Sequence, residues 1–445
     1  MKKKKVYIET YGCQMNFSDS EIVASVMTEN NYETALSAQD SDVIFLNTCS
    51  IRDNAEQRVL NRLKQLQVLR KKNPALIIGV LGCMAERLKT SLLEEQRLGM
   101  RIDMVVGPDA YRDLPQLMVD AESGQKAVNI ILSSEETYAD ITPVRYAAGG
   151  VSAFISIMRG CENFCSYCVV PHTRGKERSR NPDSIVNEAR QLIDDGYKEI
   201  TLLGQNVNSY AWKEASGNIP VDFPSLMENI ASLSSQLRIR FATSHPKDMS
   251  DELLYVISRH PTICKSIHLP VQSGSSSVLK RMNRKYTRED YLQRIEAIRK
   301  IVPGCAISTD IITGFCGETD QEFHETLSLM ERVGYDFAYM FKYSERPGTI
   351  AAKKLKDDVP EAVKTIRLEE VINLQQQLSL RSNQAEVGSL QEVLVEGPSK
   401  RSSAYVSGRT SRNKVVVFPD NHYKAGDYVM VKITGCTSAT LKGES

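Results

Sequence analysis

Residues 159–175 have the sequence RGCENFCSYCVVPHTRG, in which Cys161, Cys165 and Cys168 follow one another at offsets of four and three residues. Cysteine thiolates at such spacing hold zinc ions or iron–sulfur clusters. A structural zinc site completed by His172 is one alternative, although such sites favour ligands in pairs. The pattern favours a 4Fe-4S cluster, because three thiolates would leave one iron open to bind a further ligand.

The spacing Cys-x3-Cys-x-aromatic-Cys, with Tyr167 as the aromatic residue, resembles the motif of the radical S-adenosylmethionine (SAM) enzymes. The resemblance implies that the open iron binds the amino and carboxylate groups of SAM, with Tyr167 among the cofactor-binding residues. It also implies that one electron from the cluster cleaves SAM to a 5′-deoxyadenosyl radical.

The chain before this motif alternates apolar strand patterns with amphipathic helix patterns over residues 4–123. In one predicted helix, Ala55, Val59, Leu63 and Leu66 follow the 3.6-residue period. The alternation predicts an N-terminal α/β domain with a parallel sheet. Strands are predicted at residues 6–10, 43–47, 76–81 and 104–106, and helices at 19–30, 54–70, 85–97 and 112–122.

Three more cysteines, Cys13, Cys49 and Cys83, each lie just past the carboxyl end of a predicted strand. Because the carboxyl ends of parallel strands share one edge of a sheet, these thiols should meet in one site. A single buried thiol is usually a small core residue. Three at the same phase of the repeat predict a second cluster, again with three ligands and an open iron.

An N-terminal domain with these three cysteines, placed ahead of a radical SAM motif, resembles the methylthiotransferases. Residues 11–16, Tyr-Gly-Cys-Gln-Met-Asn, are similar to the tRNA branch of that family, which makes 2-methylthio-N6-isopentenyladenosine beside the anticodon. The branch that modifies a ribosomal protein usually has Gly-Cys-Pro-Lys-Asn at this place. Methylthiolation of a ribosomal protein is therefore the alternative function that uses the same chemistry. An iron–sulfur RNA-binding protein without enzymatic activity is the alternative of another class.

The resemblance implies two 4Fe-4S clusters and SAM as cofactors, with SAM used twice. One SAM would methylate a sulfur on the cluster of Cys13, Cys49 and Cys83, and the radical from another would attack C2 of the adenine. It implies as substrate a tRNA anticodon stem-loop that carries N6-isopentenyladenosine. Further partners would be a reducing electron donor and a carrier of sulfur or of iron–sulfur clusters.

Periodicity is lost over residues 124–150, which we predict to be a linker, and a new series of strands follows in residues 151–386. Six strand–helix units predict a partial (βα)6 barrel, with its chemistry at the carboxyl ends of the strands. The cysteine motif follows the first of these strands, as that rule requires. The predicted strands are residues 153–158, 199–203, 238–243, 266–269, 306–312 and 337–343.

Polar residues lie at or just past the ends of several of these strands, and the resemblance implies that they bind SAM or the substrate, although ordinary loop capping is an alternative. They are Gly204, Gln205, Ser244, Gln272 and Asp310. Residues 314–318 depart from the family's Gly-Phe-Pro-Gly-Glu, because Cys316 replaces the proline. The remaining cysteines, Cys264, Cys305 and Cys436, are expected to be small core residues.

Residues 387–445 change to short strand patterns separated by turns, at 392–395, 404–406, 415–418 and 428–433, which predicts a small β-barrel. Basic residues lie in its turns beside aromatic residues, an arrangement that suits an RNA-binding surface. The segment also resembles the TRAM domain of tRNA-modifying methylthiotransferases. The predicted RNA contacts are Lys400, Arg401, Arg409, Arg412 and Lys414.

The composition and charge disfavour some classes of function. The formal net charge is +1, so no overall field favours one partner. No segment approaches the ~20 apolar residues of a membrane span, and ten cysteines in such a chain suggest metal chemistry rather than disulfides. We therefore expect a cytoplasmic protein that does not bind membranes.

Overall fold

The computed structural model describes residues 3–50, 53–89, 91–94, 100–145, 150–213 and 220–445. The chain divides into two compact units. The first consists of Met1–Ala148, Ser156–Glu162 and Val169–Ile185, and the second of Gly149–Ile155, Asn163–Cys168 and Val186–Ser445.

The first unit is built on a parallel six-stranded sheet, which confirms the predicted parallel α/β fold of this part of the chain. Its strand order is β2-β1-β3-β4-β5-β6. The strands are β1 (Lys4–Tyr11), β2 (Tyr32–Thr34), β3 (Val43–Thr48), β4 (Ile77–Gly82), β5 (Met104–Val106) and β6 (Ala127–Asn129). Every residue of β3 and β4 is buried, as expected for central strands of a parallel sheet that are covered on both faces.

The edge strands β2 and β6 were not predicted, and each has only three residues. Three residues are too few to show an alternating or continuous apolar pattern. Strand β6 lies inside the segment that was predicted to be a linker.

In the described part of this sheet's chain, five helices connect the strands, and α1 begins five residues before its predicted start, directly after Cys13. Gln14 and Asn16 in its first turn are polar, so the apolar period shows only later in the helix. The helices are α1 (Gln14–Glu29), α2 (Asp53–Lys72), α3 (Cys83–Leu88), α4 (Ser91–Glu94) and α5 (Leu114–Glu122). The helix predicted over residues 85–97 is thus two short helices, and residues 95–97 lie outside the described residues.

The six strands predicted for the central part are present, arranged as two three-stranded sheets, β13-β10-β7 and β14-β15-β16. A parallel bridge joins Ile239 of β13 to Ile263, three residues before β14. The strands in this part are β7 (Ser152–Ser156), β8 (Met158–Arg159), β9 (Arg178–Ser179), β10 (Glu199–Leu203), β11 (Ala211–Trp212), β12 (Val221–Asp222), β13 (Arg238–Ala242), β14 (Ser266–His268), β15 (Ala306–Thr313) and β16 (Phe337–Lys342).

Helices alternate with these strands, and several begin at side-chain caps. Thr287 and Thr319 each form a capping box, which fixes the starts of the helices that begin at Arg288 and Asp320. The helices are α6 (Val170–Arg174), α7 (Pro182–Asp194), α8 (Phe223–Ala231), α9 (Asp251–Arg259), α10 (Ser276–Arg281), α11 (Arg288–Ile301), α12 (Asp320–Val333), α13 (Ile350–Lys354) and α14 (Glu361–Gln384).

The end of the chain forms a closed five-stranded barrel in the order β17-β18-β19-β21-β20, which confirms the predicted small β-barrel. Alternate residues of its strands point inward and are buried, among them Val393, Val395 and Val431. The strands are β17 (Leu390–Ser399), β18 (Ser402–Thr410), β19 (Val415–Pro419), β20 (Tyr428–Cys436) and β21 (Leu441–Glu444), of which β21 was not predicted. Among the described residues, no helix combines the length and the apolar character needed to cross a membrane.

Candidate metal centres

The first candidate centre lies at the carboxyl edge of three adjacent strands in the first unit. The register pairs the last residues of β1, β3 and β4 with one another. Cys49 and Cys83 each come one residue later, and Cys13 comes two residues after the end of β1. Because neighbouring strands lie about 4.8 Å apart, three thiols that are far apart in sequence share one edge.

Two glycines allow the loops at this edge to approach one another. A Cβ atom on Gly12, where φ is +140°, would lie 2.4 Å from the Cβ atom of Cys49. A Cβ atom on Gly82, where φ is +87°, would lie 2.5 Å from the Oδ1 atom of Asn47. Both residues precede a predicted ligand, so the Gly-Cys pairs in the sequence have a steric reason.

A buried asparagine pair ties the same loops together. Asn16 donates from Nδ2 to Oδ1 of Asn47 at 3.2 Å and to the carbonyl oxygen of Thr48 at 3.1 Å, and Asn47 donates back to the Asn16 carbonyl at 2.9 Å. The Cys13 thiol donates to Oδ1 of Asn16 at 3.2 Å. Asn16 stands in the Tyr-Gly-Cys-Gln-Met-Asn motif, yet the sequence analysis gave it no role.

The surroundings favour the thiolate form of Cys13. The hydrogen bond from Cys49 lowers the pKa of Cys13 to about 6, and the charge of Arg174 and the nearby backbone N–H groups act in the same direction. Burial raises the pKa of Cys83, and Arg174 opposes that effect. Arg174 itself donates from Nε to the Sγ atom of Cys83 at 3.2 Å. Arg174 lies in residues 159–175, but nothing in the sequence predicts its contact with a cysteine 91 positions away.

Cys13, Cys49 and Cys83 are three thiols at one sheet edge, a donor set that suits an iron–sulfur cluster. All ten cysteines are among the described residues, and none of them forms a disulfide. In the described part of the chain, no group of three or more His, Cys, Asp or Glu side chains closes around one metal ion.

The second cysteine triplet lies in residues 161–168, and its members are held by separate contacts. In the first unit, the backbone N–H of Cys161 donates to the carbonyl oxygen of Gly175 at 3.1 Å. In the second unit, Cys165 and Cys168 are joined by a backbone hydrogen bond of 2.9 Å. Arg284, which is 4% exposed, donates from Nη1 to the Sγ atom of Cys165 at 3.2 Å.

The loop that carries Cys165 and Cys168 is fixed from both sides. Ser166 donates from its backbone N–H to the carbonyl oxygen of Met282 and from its hydroxyl to that of Arg281, both at 2.9 Å. The ring of Tyr167 packs edge-on against Phe315, with 6.4 Å between the ring centroids. The structure gives Tyr167 this packing contact, and its predicted role in binding the cofactor stays a prediction.

The loops after β10 and β13 meet and hold several buried polar atoms. The backbone N–H of Gly204 donates to the carbonyl oxygen of Ala242 at 3.0 Å, which brings the two loops together. Five side-chain atoms in these loops are buried and have no hydrogen-bond partner within the described residues. They are Oε1 of Gln205, Oδ1 of Asn206, Nδ2 of Asn208, Oγ of Ser244 and Nε2 of His245. Such a set suits a polar ligand, because buried polar groups are otherwise hydrogen-bonded.

His245 is held in its neutral form. Burial lowers the pKa of its imidazole to about 2, and the positive charges of Arg284 and Lys247 act in the same direction. Its Nδ1 atom accepts the backbone N–H of Lys247 at 3.3 Å, so the hydrogen is on Nε2. His245 can therefore donate one hydrogen bond from a buried position.

Gln272 and Asp310 meet on the other three-stranded sheet. The backbone N–H of Gln272 donates to the Asp310 carbonyl at 2.9 Å, and the backbone N–H of Ile312 donates to the Gln272 carbonyl at 2.8 Å. Asp310 lies inside β15 rather than past its end, because that strand extends to Thr313. Its carboxylate lies 3.4 Å from Nε2 of His268.

The predicted RNA-binding residues fall into two groups. Lys400 and Arg401 are exposed in the turn between β17 and β18, and the half-exposed Arg409 pairs with Glu396 at 2.9 Å. Arg412 and Lys414 each lie 3.3 Å from the carboxylate of Asp336, and both also contact that of Glu386. Only 9% of Lys414 is exposed, and its ammonium group pairs with these carboxylates inside the second unit.

The other predicted core cysteines lie in the second unit. Cys264 is buried, and Cys305 and Cys436 are partly buried. Cys436 packs against the apolar core of the barrel. Cys316, which replaces the family's proline, is buried with Phe315 and Tyr343.

Comparison with family models divides the chain in the same order as the motifs. Residues 5–107 match the model described as uncharacterized protein family UPF0004, residues 155–330 match the radical SAM superfamily, and residues 384–445 match the TRAM domain.

Solved structures share the fold at low sequence identity. The radical SAM methyltransferase TsrM from Kitasatospora setae aligns with a TM-score of 0.56 and 12% identity, over 87% of this chain and 78% of TsrM. The cobalamin-dependent SAM radical enzyme OxsB aligns with a TM-score of 0.51 and 14% identity, over 84% of this chain and 56% of OxsB. At this identity the likeness shows the fold alone.

Curated relatives are much more similar. The tRNA-2-methylthio-N(6)-dimethylallyladenosine synthase of Bacteroides fragilis is 57% identical over 99% of this chain and 95% of the relative. The enzyme of the same name from Chloroherpeton thalassium is 55% identical over 100% of this chain and 96% of the relative. With more than half of its residues identical over nearly its full length, the chain belongs to the family of tRNA-2-methylthio-N(6)-dimethylallyladenosine synthases.

Proposed function

We propose that this protein is a radical SAM methylthiotransferase that adds a methylthio group to C2 of N6-isopentenyladenosine at position 37 of tRNA, next to the anticodon. The observation that carries the proposal is the 57% identity to enzymes named for this product, over nearly the whole of both chains. The dimethylallyl group in their name is the isopentenyl group of the nucleoside. The placement of Cys13, Cys49 and Cys83 at one sheet edge supports the sulfur-donating part of the reaction.

The chemistry needs cofactors, because the C2–H of adenine is neither acidic nor a leaving group and general base catalysis cannot replace it. When bound, two 4Fe-4S clusters and SAM supply the radical that removes this hydrogen and the sulfur and methyl group that take its place. Cys161, Cys165 and Cys168 would hold the cluster that binds SAM. Cys13, Cys49 and Cys83 would hold the cluster that gives up sulfur.

The polar residues of the second unit would bind and orient SAM and the adenosine. Gln205 and Ser244, with the neutral His245, offer both acceptors and a donor from buried positions. The backbone N–H of Gly204 joins its loop to the loop after β13, and Gln272 and Asp310 lie together on the other sheet. We assign these residues to the pocket for SAM or substrate.

The exposed cations of the barrel would hold the tRNA backbone. Lys400, Arg401 and Arg409 present positive charge without a fixed arrangement of base-reading groups, which suits phosphate contacts. The target adenosine has to leave its stack, which costs less in an anticodon loop than in a duplex. The reaction also needs a reducing electron donor and a carrier that restores sulfur, and it takes place in the cytoplasm, where tRNA is found.

Mass spectrometry of tRNA nucleosides tests the proposal. Cells that lack this chain should contain N6-isopentenyladenosine and no 2-methylthio derivative, and the intact gene should restore the derivative. The variant with Cys13, Cys49 and Cys83 replaced by Ala should not restore it. An unchanged level of the methylthio nucleoside in cells that lack the chain would contradict the proposed substrate.

A further inference from the structure

Arg174 connects the end of the cysteine motif to the first candidate centre within the first unit. It is the last residue of α6, six positions after Cys168, and only 3% of it is exposed. Its Nε atom donates to the Sγ atom of Cys83 at 3.2 Å, and its Nη2 atom donates to Oδ2 of Asp19 at 2.7 Å. A guanidinium is always charged, so this is a charge-assisted contact to a predicted ligand.

The position of the guanidinium is fixed by a fully buried carboxylate. Asp19 accepts from Arg174 and also from Nη1 of Arg159 at 2.8 Å, and neither arginine is more than 3% exposed. The third nitrogen of Arg174, Nη1, is buried and has no partner within the described residues. A buried guanidinium donor usually has an acceptor, and a sulfide of the cluster beside Cys83 would be one.

From these contacts, and resting on the proposed function, we propose that Arg174 is a positioning residue for the sulfur-donating cluster. Its Nε–H bonds the Cys83 thiolate and its Nη1–H bonds an inorganic sulfide, so that its charge makes the cluster easier to reduce. Reduction adds one negative charge to the cluster, and a nearby fixed cation stabilises the reduced form more than the oxidised form.

The second unit contains the same arrangement. Arg284 is 4% exposed and donates from Nη1 to the Sγ atom of Cys165 at 3.2 Å, and it also donates to the carbonyl oxygen of Pro270 at 2.8 Å. In each predicted cluster, a buried arginine thus donates to the sulfur of a predicted ligand. The repetition at two unrelated sites supports a role toward the clusters rather than a chance contact.

The test measures the reduction potential of one cluster at a time. The parent protein is the full chain with Cys161, Cys165 and Cys168 replaced by Ala, loaded with iron and sulfide, which should hold only the sulfur-donating cluster. Arg174→Gln and Arg174→Lys are compared with Arg178→Gln as the matched control. Arg178 is also buried and ion-paired, and its guanidinium contacts Asp109 and backbone carbonyl groups, among them that of Arg174, so its loss tests whether a disturbance of this loop alone shifts the potential. The ratio of reduced to oxidised cluster is followed by electron paramagnetic resonance during a redox titration.

We expect Arg174→Gln to lower that ratio about tenfold at a given potential, which is a shift of about 59 mV for one electron. Arg174→Lys should shift it less, because lysine keeps the charge but not the planar fork of donors. Arg178→Gln should leave the potential unchanged.

A potential for Arg174→Gln equal to that of the parent would overturn the inference, as would an equal shift in Arg178→Gln. If Arg174→Gln loads no iron, the Arg174→Lys potential decides: a lowered value supports the role and the parent's value overturns it. A parent that holds no cluster would overturn the proposed function and this inference with it. If the parent holds its cluster and the Arg174 variants have the parent's reduction potential, only this inference is overturned.

Discussion

Gly12 is the residue where one methyl group should matter most for the first centre. In Gly12→Ala the new Cβ would meet the Cβ of Cys49 at 2.4 Å, and the backbone would carry the strain of a φ of +140°. We expect the anaerobically reconstituted variant to lose about half of its roughly eight irons while the other cluster remains. Iron analysis measures the loss of the first cluster. The formation of 5′-deoxyadenosine shows whether the other cluster remains.

The matched control for this change is Gly124→Ala. Gly124 also has a positive φ, +86°, but nothing lies within 4 Å of an added Cβ there. It should lose some stability through backbone strain, about 1 kcal/mol, and keep its full iron content. Equal iron contents in the two variants would show that the contact with Cys49 is unimportant.

Glu86, one turn after Cys83 on α3, should make stability depend on pH. It is 2% exposed, and burial raises the pKa of its carboxyl from 4.5 to about 7, partly opposed by Lys89. The unfolded chain ionises at the lower value, so the folded state loses stability as the pH rises between the two values. Glu86→Gln cannot ionise and should gain stability over the parent through this interval, with no further gain above about pH 7.

Urea unfolding of the iron-free protein at a series of pH values measures this difference. Glu94→Gln, at an exposed position on α4, is the control and should follow the parent at every pH. If the difference in unfolding free energy between the parent and Glu86→Gln were the same at every pH, the prediction would be contradicted.

The sequence alone predicts the six cysteines as cluster ligands, because their residue type, their spacing and their position in the strand–helix repeat can be read from it. It could not name Asn16, Arg174 or Arg284. Their roles depend on contacts with residues 31, 91 and 119 positions away. An arginine or asparagine in a loop has many ordinary uses, so only the fold shows that these side chains contact the predicted ligands or the loops that carry them.

At the scale of elements, the cations in the turn between β17 and β18 and at the end of β18 should behave differently from those in the turn after β18. Replacing Lys400, Arg401 and Arg409 with Ala should weaken tRNA binding and lower the slope of log affinity against log salt. Each lost phosphate contact lowers it by ~0.7, so the total is up to about two units. Cognate and non-cognate tRNAs should be affected alike, because phosphate contacts carry no sequence information. Filter binding over a series of salt concentrations measures the slope.

The comparison variant is Arg412→Ala with Lys414→Ala. These residues pair with Asp336 and Glu386, so their loss should lower the melting temperature and leave the salt slope unchanged. A slope that falls in this variant and not in the first would reverse the assignment of the two turns.

Elements with long, regular patterns could be predicted, and short or polar ones could not. The buried runs of β3 and β4 and the period of α2 were visible in the sequence, whereas β2 and β6 have three residues each. The first turn of α1 is hidden by the polar Gln14 and Asn16, and Asn16 is bonded to Asn47 and Thr48 at the end of β3. The site itself therefore conceals the helix start beside it.

For the whole molecule, the proposed reaction gives the two cysteine triplets separate parts. Cys13, Cys49 and Cys83 belong to the first unit, at the edge of its parallel sheet. The pocket residues proposed for SAM, including Gln205 and Ser244, belong to the second. A protein built in this way should allow one activity to be removed without the other.

The most direct test supplies SAM, a reductant and tRNA containing N6-isopentenyladenosine to the variant with Cys13, Cys49 and Cys83 replaced by Ala. Mass spectrometry measures 5′-deoxyadenosine and the methylthio nucleoside in the same reaction. The variant with Cys161, Cys165 and Cys168 replaced by Ala is the control and should form neither. We predict that the first variant forms 5′-deoxyadenosine and no methylthio nucleoside. Formation of the methylthio nucleoside by that variant would contradict the account.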